Sequence, residues 1–432
     1  MIGVDSLRQP LALAAETLPN RLAKAAMTEG LSDAQGRPTV RLVRLYDAWS
    51  KGGCGLLISG NVMVDRDHLE RPGNVVLDRA PDAETRALYQ AWTRAARSCG
   101  AGFWMQISHA GRQTMVGVNP APKSASDVAL DMPGKQFARP TPLTEAEIGI
   151  LIERFASAAL VARETGFTGV QIHAAHGYLI SQFLSPLANK RTDAWGGSLE
   201  NRARFLLEIV KRTRETVGRD FTVAVKLNSA DFQRGGFAGG ESIAVAAMLV
   251  QASVDVLEIS GGSYEQPRMM GMDGMTAPDA GGVARSTAAR EAYFLDFAVE
   301  MRKQVAIPLM VTGGFRSAAA MARAIEADGV ALIGLGRPLC VDTASAKGVL
   351  SGKVALDRWE DRLRVGPGIF GPKSPFAMIK AINGFGATYW YYQQLRRIAD
   401  GQAPDHKLGV LAALQREQAD QAAWMKTRTP SL

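Results

Sequence analysis

The chain has 432 residues, of which 47% are apolar and 21% are charged. These fractions are typical of a soluble globular protein with a large core, and they exclude a disordered or fibrous chain. No stretch approaches the roughly 20 uninterrupted apolar residues that a membrane-spanning helix needs. Asp5, Arg8 and Glu16 interrupt any apolar signal-peptide region, and we therefore expect a cytoplasmic protein.

The net charge and the cysteines indicate which partners and metal sites to expect. The net charge of +8 suits phosphate-bearing ligands, but the basic residues are dispersed, so we expect no nucleic-acid partner. Cys54, Cys99 and Cys340 form neither a disulfide framework nor a CxxC metal cluster. We interpret them as small, largely buried side chains in a reducing compartment.

Short apolar runs alternate with longer amphipathic stretches along most of the chain. The runs are rich in Val, Ile and Leu without alternation, which is typical of strands buried on both faces. In chain order the predicted strands are Leu22–Met27, Gly55–Ser59, Gly102–Ser108, Gly169–His173, Thr222–Leu227, Val254–Ser260, Pro308–Thr312 and Val330–Leu335. The predicted helices are Thr39–Lys51, Asp82–Cys99, Thr144–Thr165, Ser198–Val217, Glu241–Ala252, Thr287–Gln304, Ser317–Ala327 and Pro338–Gly348. Thr144 and Glu147 form a capping-box pattern at the start of the third helix.

About eight strand–helix units in one chain predict an α/β fold, a (β/α)8 TIM barrel, over residues 1–350. An open doubly wound sheet is the alternative, and the lack of an early GxGxxG turn followed by an acidic residue disfavours it. Residues 351–432 predict a helical C-terminal extension, with helices at Ala387–Ala399 and Lys407–Met425. We expect this extension to pack on the barrel or on a partner subunit, which leaves a homo-oligomer open.

Two long segments interrupt the alternation and follow predicted strands on the side where a barrel has its active site. They are His109–Pro142 and Gly261–Arg285. Loops of this length in a compact domain are usually functional or disordered. The methionines of the second segment suit an adaptable apolar wall around a small-molecule substrate, and loose packing is the alternative.

The densest group of chemically active residues leaves the fourth strand. His173, His176 and Tyr178 lie within six positions, at the strand end that faces the mouth of a barrel. Imidazoles there can donate hydrogen bonds to an oxygen on which charge builds up, and a phenol can deliver a proton. A metal site on the His-x-x-His spacing is the alternative, but we find no firm third ligand and expect no metal.

Glycine-rich turns follow the last two predicted strands. Loops at these places in barrels often bind phosphate through backbone amides. We therefore assign a phosphate site to Gly313, Gly314, Gly336 and Arg337, with tight turns that need glycine as the structural alternative.

These motifs together resemble the old yellow enzyme family of FMN-dependent ene-reductases, also called NADH:flavin oxidoreductases. The resemblance runs in family order from about residue 5 to residue 350. It is carried by Pro19-Asn-Arg-Leu-Ala-Lys-Ala-Ala-Met-Thr28, Gln106-Ile-Ser-His-Ala-Gly-Arg112, the His173–Tyr178 segment, Val225-Lys-Leu-Asn-Ser-Ala-Asp231, Ile259-Ser-Gly-Gly262, Val311-Thr-Gly-Gly-Phe315 and Gly334-Leu-Gly-Arg337. No single piece is specific, but the combination is.

The resemblance implies a set of flavin contacts. Thr28 is expected at the O4/N5 edge of the flavin, where it would tune the reduction potential. Lys226 is expected beside N1/O2, where relatives usually carry Arg, and its charge would favour the reduced anion. Gln106 is expected to bind the pyrimidine edge of the ring. The remaining implied flavin contacts are Ala25, Ala26, Met27 and Gly60, beside the ring, and His173.

The resemblance also implies the reaction. His173 and His176 would bind the activating oxygen of the substrate, and Tyr178 would protonate Cα after hydride transfer to Cβ. The expected enzyme uses NAD(P)H and FMN to reduce the C=C bond of an α,β-unsaturated carbonyl compound. Alternatives are an FMN barrel that acts on dienoyl thioesters or amines, and a flavin carrier without turnover. Arg112 is expected to be structural or part of a substrate loop.

Overall fold

The protein is described from a computed structural model that covers residues 4–130, 132, 136–265, 294–372 and 374–428. Within these residues, parallel strands close into an eight-membered barrel. The barrel strands are β1 Leu22–Lys24, β2 Leu56–Met63, β3 Gly102–Ser108, β4 Gly169–Ala174, β5 Thr222–Asn228, β6 Val256–Ser260, β7 Leu309–Thr312 and β8 Leu332–Leu335.

Sequential strands are neighbours around the barrel, and the ring closes between β8, β1 and β2. Gly334 of β8 pairs with Ala23 of β1, which in turn pairs with Leu56 of β2. The short strand Val75–Val76 extends the sheet beside the end of β2. Two small two-stranded sheets lie outside the barrel, formed by Leu11–Ala12 with Thr17–Leu18 and by Lys123–Ser124 with Thr141–Pro142. This topology confirms the predicted (β/α)8 barrel.

Helices follow the barrel strands, as expected for parallel strands that need crossover connections. The α-helices are α1 Asp5–Arg8, α2 Val40–Lys51, α3 Ala83–Ala96, α4 Glu145–Glu164, α5 Leu179–Leu184, α6 Leu199–Val217, α7 Gly239–Gln251, α8 Leu295–Arg302, α9 Ala318–Glu326, α10 Ser345–Leu350, α11 Ala377–Ala399 and α12 Val410–Thr427. Short 3₁₀ turns lie at Gly111–Gln113, Arg337–Cys340, Trp359–Asp361 and Gly368–Phe370. No described helix combines the length and the apolar character needed to cross a membrane.

Apolar side chains fill the barrel interior toward the amino ends of the strands. They form a buried cluster of Leu11, Leu18, Ala23, Ala25, Leu56, Ile58, Trp104, Ala224, Val256, Met310 and Leu332. Below it, Glu16 accepts hydrogen bonds from Trp104 Nε1 at 2.6 Å and from Thr222 Oγ1 at 3.1 Å. The carboxyl ends of the strands therefore form the mouth of the barrel.

Some predicted boundaries differ from the structure for local reasons. β1 ends at Lys24: the Ala25 amide still donates to the Leu335 carbonyl of β8 at 2.9 Å, but residues 25–33 form neither helix nor strand. The predicted helix Pro338–Gly348 is wrong: a 3₁₀ turn and α10 replace it, and between them Asp342 Oδ1 accepts from the Ala344 amide at 3.0 Å. The capping box at Thr144 is confirmed, since both of its reciprocal hydrogen bonds are present.

Parts of two predictions lie outside the described residues. The loop Gly261–Arg285 is described only as far as residue 265, and the helix Thr287–Gln304 only from residue 294. Within that described part, α8 spans Leu295–Arg302.

The C-terminal helices pack against the barrel of the same chain. Trp390 of α11 is fully buried and donates through Nε1 to the Leu408 carbonyl at 2.9 Å, which joins α11 to the start of α12. Trp424 of α12 donates to the carbonyls of Ser32 and Asp33 at 3.2 and 3.1 Å, in the segment that follows β1. The extension therefore supports the loops at the barrel mouth.

Candidate active site

His173, His176 and Tyr178 come together at the mouth. The ring of His173 lies 5.0 Å from that of His176 and 4.8 Å from that of Tyr178, each measured between centroids and in edge-on orientation. His173 is the penultimate residue of β4, and the chain turns immediately after it. The structure thus brings together all three residues that the sequence singled out.

The turn that presents His176 is held from two neighbouring strands. His176 has a left-handed backbone, with φ of 62°, which is uncommon for a residue other than glycine. Its amide donates to Asn228 Oδ1 of β5 at 3.0 Å, and its Nε2 lies 2.7 Å from Ser260 Oγ of β6. These contacts offset the cost of the backbone conformation and fix the ring.

Both imidazoles are neutral at ordinary pH. Burial lowers the pKa of His173 well below its usual value, with further contributions from His176 and Lys226. Burial and Lys226 do the same to the pKa of His176. The Ala175 amide donates to His173 Nδ1 at 3.2 Å, so the ring proton of His173 resides on Nε2. A neutral imidazole of this kind donates one N–H to an oxygen without carrying charge.

Tyr178 has a second tyrosine as its partner. Its hydroxyl lies 3.1 Å from that of Tyr264, which follows β6. Tyr178 is buried and Tyr264 is partly exposed. Burial raises the pKa of both phenols well above 10, with the Glu70 carboxylate as the next cause. Tyr178 therefore keeps its proton until a strongly basic atom appears beside it.

Gln106 and Lys226, the residues assigned to the flavin's pyrimidine edge, belong to one polar network inside the barrel. Gln106 Nε2 donates to Gln171 Oε1 at 2.6 Å, and Gln171 Nε2 donates to Glu258 Oε2 at 2.7 Å. Lys226 Nζ pairs with Glu258 Oε1 at 2.9 Å. Sequence reasoning missed Gln171 and Glu258, although each is a polar residue in an otherwise apolar buried strand, which is the signal that could have found them.

The segment after β1 is pressed against β2 and β8. A Cβ atom on Gly60 would lie 2.6 Å from the Met27 carbonyl oxygen and 3.0 Å from Thr28 Cα, so only glycine permits this approach. Met27 Sδ lies 3.4 Å from Cys340 Sγ, next to the 3₁₀ turn that follows β8. Ala25 is buried and Ala26 packs on the interior cluster. Ala25 to Thr28 and Gly60 are thus neighbours, as the resemblance implies.

Thr28 has a partner that the sequence did not suggest. Its Oγ1 donates to Glu70 Oε2 at 2.8 Å. A carboxylate only accepts hydrogen bonds when ionised, so the Thr28 proton is committed to Glu70 in this structure. The expected hydrogen bond from Thr28 to the flavin edge therefore competes with Glu70.

A buried lysine anchors the same segment. Lys24 is fully buried and donates to Ile58 O at 2.7 Å, to Tyr46 Oη at 3.0 Å and to Glu29 Oε1 at 3.1 Å. Tyr46 in turn donates to Glu29 Oε1 at 2.6 Å. All donors of the ammonium are used, so Lys24 fixes the path of the chain toward Thr28 and is not available to a ligand.

The glycine turns form a cradle suited to a phosphate. Gly313 and Gly314 follow β7 with φ of 130° and 82°, values that residues with a Cβ rarely adopt. Beside them, Thr312 Oγ1 is buried and has no hydrogen-bond partner among the described residues. Gly336 and Arg337 follow β8, which is paired with β7, and the Arg337 guanidinium lies 3.8 Å from Glu360. Consecutive amides, an unpaired hydroxyl and a guanidinium fit a phosphate group, and with the residues above they fit a flavin mononucleotide.

One group of described residues has the composition of a metal site. Nδ1 of His68 and Nε2 of His109 face Asp65 Oδ2 at 3.2 and 3.7 Å, and Arg154 reaches the same oxygen at 3.1 Å. The outer nitrogen of each ring accepts from a backbone amide, of Lys123 at 2.8 Å and of Gly111 at 3.1 Å. The inner nitrogens therefore carry the protons, whereas a metal-bound histidine donates its outer N–H. The group is therefore a carboxylate that two imidazole rings and a guanidinium face.

The extension reaches the mouth through a buried ion pair. Arg71 stacks on the ring of Tyr392 from α11, 3.7 Å from its centroid, and donates to Glu417 of α12. Arg71 directly follows Glu70, the partner of Thr28. Arg112 is buried and bonds Glu265 at 3.0 Å, so it holds the start of the segment after β6. The sequence predicted a structural or substrate-loop role for Arg112, but it gave no signal for Arg71.

Comparison with known proteins shows the family of the chain. A family model described as the NADH:flavin oxidoreductase / NADH oxidase family matches residues 6–353. The NADH-dependent flavin oxidoreductase iliE of Hypocrea jecorina (strain QM6a) is 36% identical over 350 residues, which are 77% of this chain and 86% of that protein.

Solved structures with the same fold include members of this group of flavin enzymes. An old yellow enzyme homologue from Zymomonas mobilis superposes with a TM-score of 0.67 and 26% identity, over 82% of this chain and 95% of its own. A 2-naphthoyl-CoA reductase superposes with a TM-score of 0.72 and 27% identity over 82% of this chain, which spans only 54% of that longer chain. The protein belongs to the NADH:flavin oxidoreductase / NADH oxidase family and is a flavin-dependent oxidoreductase with a nicotinamide reductant.

Proposed function

We propose that the protein uses NAD(P)H to reduce an FMN bound at the barrel mouth, and that it then reduces the activated C=C bond of an α,β-unsaturated carbonyl or related small molecule. The observation that carries the proposal is the edge-on grouping of His173, His176 and Tyr178. A redox carrier without a substrate needs neither a pair of oxygen-binding imidazoles nor a proton donor.

The imidazoles activate the substrate. His173 presents its Nε2 proton, and His176 is fixed by Asn228 and Ser260, so the two rings provide a rigid place for a carbonyl oxygen. Negative charge builds up on that oxygen as hydride arrives at Cβ. Preorganised donors in a dry site stabilise such charge without having to reorganise, which is commonly the largest catalytic contribution.

Tyr178 supplies the proton. Its high pKa keeps the phenol protonated at neutral pH, so the proton leaves only when carbanion character develops at the substrate Cα. The flavin, when bound, supplies the hydride. Positioned proton transfer of this kind typically contributes about 10²- to 10⁴-fold to a rate.

The elements that surround His173, His176 and Tyr178 would hold the flavin. Gly313, Gly314, Gly336 and Arg337 would bind the phosphate. Ala25 to Thr28 and Gly60 would flank the ring, and Gln106 and Lys226 would contact its pyrimidine edge. The phosphate assignment is supported by the positive φ angles of Gly313 and Gly314 and by the Thr312 hydroxyl, which no other described residue bonds.

The experiment is an anaerobic titration of the FMN-reconstituted protein with NADH and with NADPH, followed by reoxidation. Acceptors should include cyclic enones, nitroalkenes and enoyl thioesters. We expect bleaching of the flavin by at least one nicotinamide, and stoichiometric reoxidation by an enone with formation of the saturated product. A protein that stays colourless after FMN is added, or whose reduced flavin reacts with oxygen but with no C=C compound, would contradict the proposal.

A further inference from the structure

Glu258 and Lys226 form an ion pair inside the barrel that the proposed reaction does not use. Lys226 Nζ lies 2.9 Å from Glu258 Oε1, and the two side chains are 4% and 0% exposed. The residues are register partners on β5 and β6, so the pairing is built into the sheet. Glu258 is a carboxylate in the strand Val256–Ser260, whose remaining residues are Val, Leu, Ile and Ser.

The second carboxylate oxygen is also engaged. Glu258 Oε2 accepts from Gln171 at 2.7 Å, and Gln171 accepts from Gln106 at 2.6 Å. A charge buried this deeply is costly unless it is paired and hydrogen-bonded, and Glu258 satisfies both conditions. The carboxylate thus contacts one of the two residues assigned to the flavin's pyrimidine edge directly and the other through Gln171.

We propose that Glu258 sets the reduction potential of the flavin by compensating the charge of Lys226. This inference depends on the proposed flavin site. A lone ammonium beside N1 and O2 would favour the negatively charged reduced flavin by direct Coulomb attraction. An ammonium with a carboxylate 2.9 Å away acts as a dipole, whose potential falls off faster with distance. The reduced flavin is then held less tightly and is a stronger hydride donor.

Glu258→Gln tests the proposal, because the amide keeps the size of the side chain and an oxygen that can accept from Lys226. The midpoint potential of bound FMN is measured by anaerobic equilibration with a reference dye. We expect the ratio of affinities for reduced and oxidised flavin to rise at least tenfold, a positive shift of about 30 mV for a two-electron couple. An unchanged or more negative potential would overturn the proposal.

Glu16→Gln is the matched control. Glu16 lies in the turn between Leu11–Ala12 and Thr17–Leu18, below the amino ends of the barrel strands, and it also accepts hydrogen bonds, from Trp104 and Thr222. Its loss should leave the potential unchanged. A shift as large as that of Glu258→Gln would indicate a general effect of removing a carboxylate and would contradict the specific role of Glu258.

A double variant decides the question if Glu258→Gln leaves Lys226 unpaired and the protein fails to fold. Lys226→Gln combined with Glu258→Gln removes both charges. If the two charges compensate each other, the potential stays near the wild-type value. If Lys226 acts alone, the affinity ratio falls at least tenfold. The measurement needs bound flavin but no enone turnover, so it stays informative if the proposed substrate class is wrong, and a failure to bind FMN is seen before any potential is measured.

Discussion

The phenolic oxygens of Tyr178 and Tyr264 lie 3.1 Å apart at the mouth of the barrel. Tyr178 is buried, Tyr264 is partly exposed, and both belong to one apolar cluster. The proposed proton donor thus has a hydroxyl partner from the segment after β6, which orients its proton and shares its apolar surroundings.

Tyr178→Phe should separate the two halves of the reaction. We expect reduction of the flavin by NAD(P)H to continue near the wild-type rate, because that step takes no proton from Tyr178. Reoxidation by an enone should slow by about 10²-fold or more, the usual contribution of a positioned acid. Anaerobic stopped-flow measurement of each half-reaction checks this.

Tyr264→Phe is the matched control for that experiment. It removes one hydrogen bond to Tyr178 and leaves the proton donor in place, so reoxidation should slow by only about fivefold, the effect of about 1 kcal/mol. Equal losses in both variants would show that the pair acts as a unit. No loss in Tyr178→Phe would assign proton donation to another group.

Thr28→Val tests the competition between Glu70 and the flavin. Because the Thr28 hydroxyl donates to Glu70 at 2.8 Å, the substitution should change the midpoint potential of bound FMN little, by less than about threefold in the affinity ratio. A clearly more negative potential would mean that Thr28 turns from Glu70 to the flavin in the loaded enzyme. The dye-equilibration measurement described for Glu258 serves here as well.

Gly314→Ala tests the phosphate cradle. At φ of 82° a Cβ costs about 1–2 kcal/mol, and the amides would move out of position. FMN affinity should fall about tenfold, measured by fluorescence titration of the apoprotein. Gly401→Ala is the control: Gly401 has φ of 76°, follows α11, and no described atom lies within 4 Å of where its Cβ would be. It should lower thermal stability similarly and leave FMN affinity unchanged.

The barrel could be predicted because its signal is local. Strands buried on both faces appear as apolar runs, and Thr144 with Glu147 marks a helix start within four consecutive residues. The grouping of His173, His176 and Tyr178 was equally accessible, since all three lie in one segment at one strand end.

The charged partners of the site could not be predicted, because each comes from a distant part of the chain. Glu70 is 42 residues from Thr28, and Glu417 is 346 residues from Arg71. A carboxylate reveals its partner only when the fold brings the two together. The same applies to Glu258, whose place in an apolar strand marks it as unusual but does not identify Lys226 as its counter-ion.

The buried Glu417 connects the extension to the mouth and gives the last prediction. It pairs with Arg71 and with Arg396, from which it accepts at 3.0 and 3.1 Å, and its side chain is fully buried. Glu417→Gln removes the carboxylate that pairs with Arg71 and leaves Arg396 with the half-exposed Asp420, at 3.4 Å. Breaking a buried ion pair from one side costs about 3–5 kcal/mol, so the free energy of unfolding should fall by about that amount in urea titrations at pH 7.

Acid should remove the stabilisation by the Glu417 ion pairs in the wild-type protein. Although burial alone would raise it, the charges of Arg71 and Arg396 lower the pKa of Glu417 from 4.5 to about 2. The folded state therefore binds this proton less readily than the unfolded state. The ion pairs stabilise the fold fully above pH 4.5, and the stabilisation is lost as the pH falls toward 2. Glu417→Gln should lose this part of the acid dependence.

Asp420→Asn is the control, because it alters the half-exposed neighbour of Arg396. It should lower the free energy of unfolding by less than about 1 kcal/mol. Equal losses in the two variants would show that burial of Glu417 does not set the strength of this contact, and that the extension is held at the mouth by other interactions.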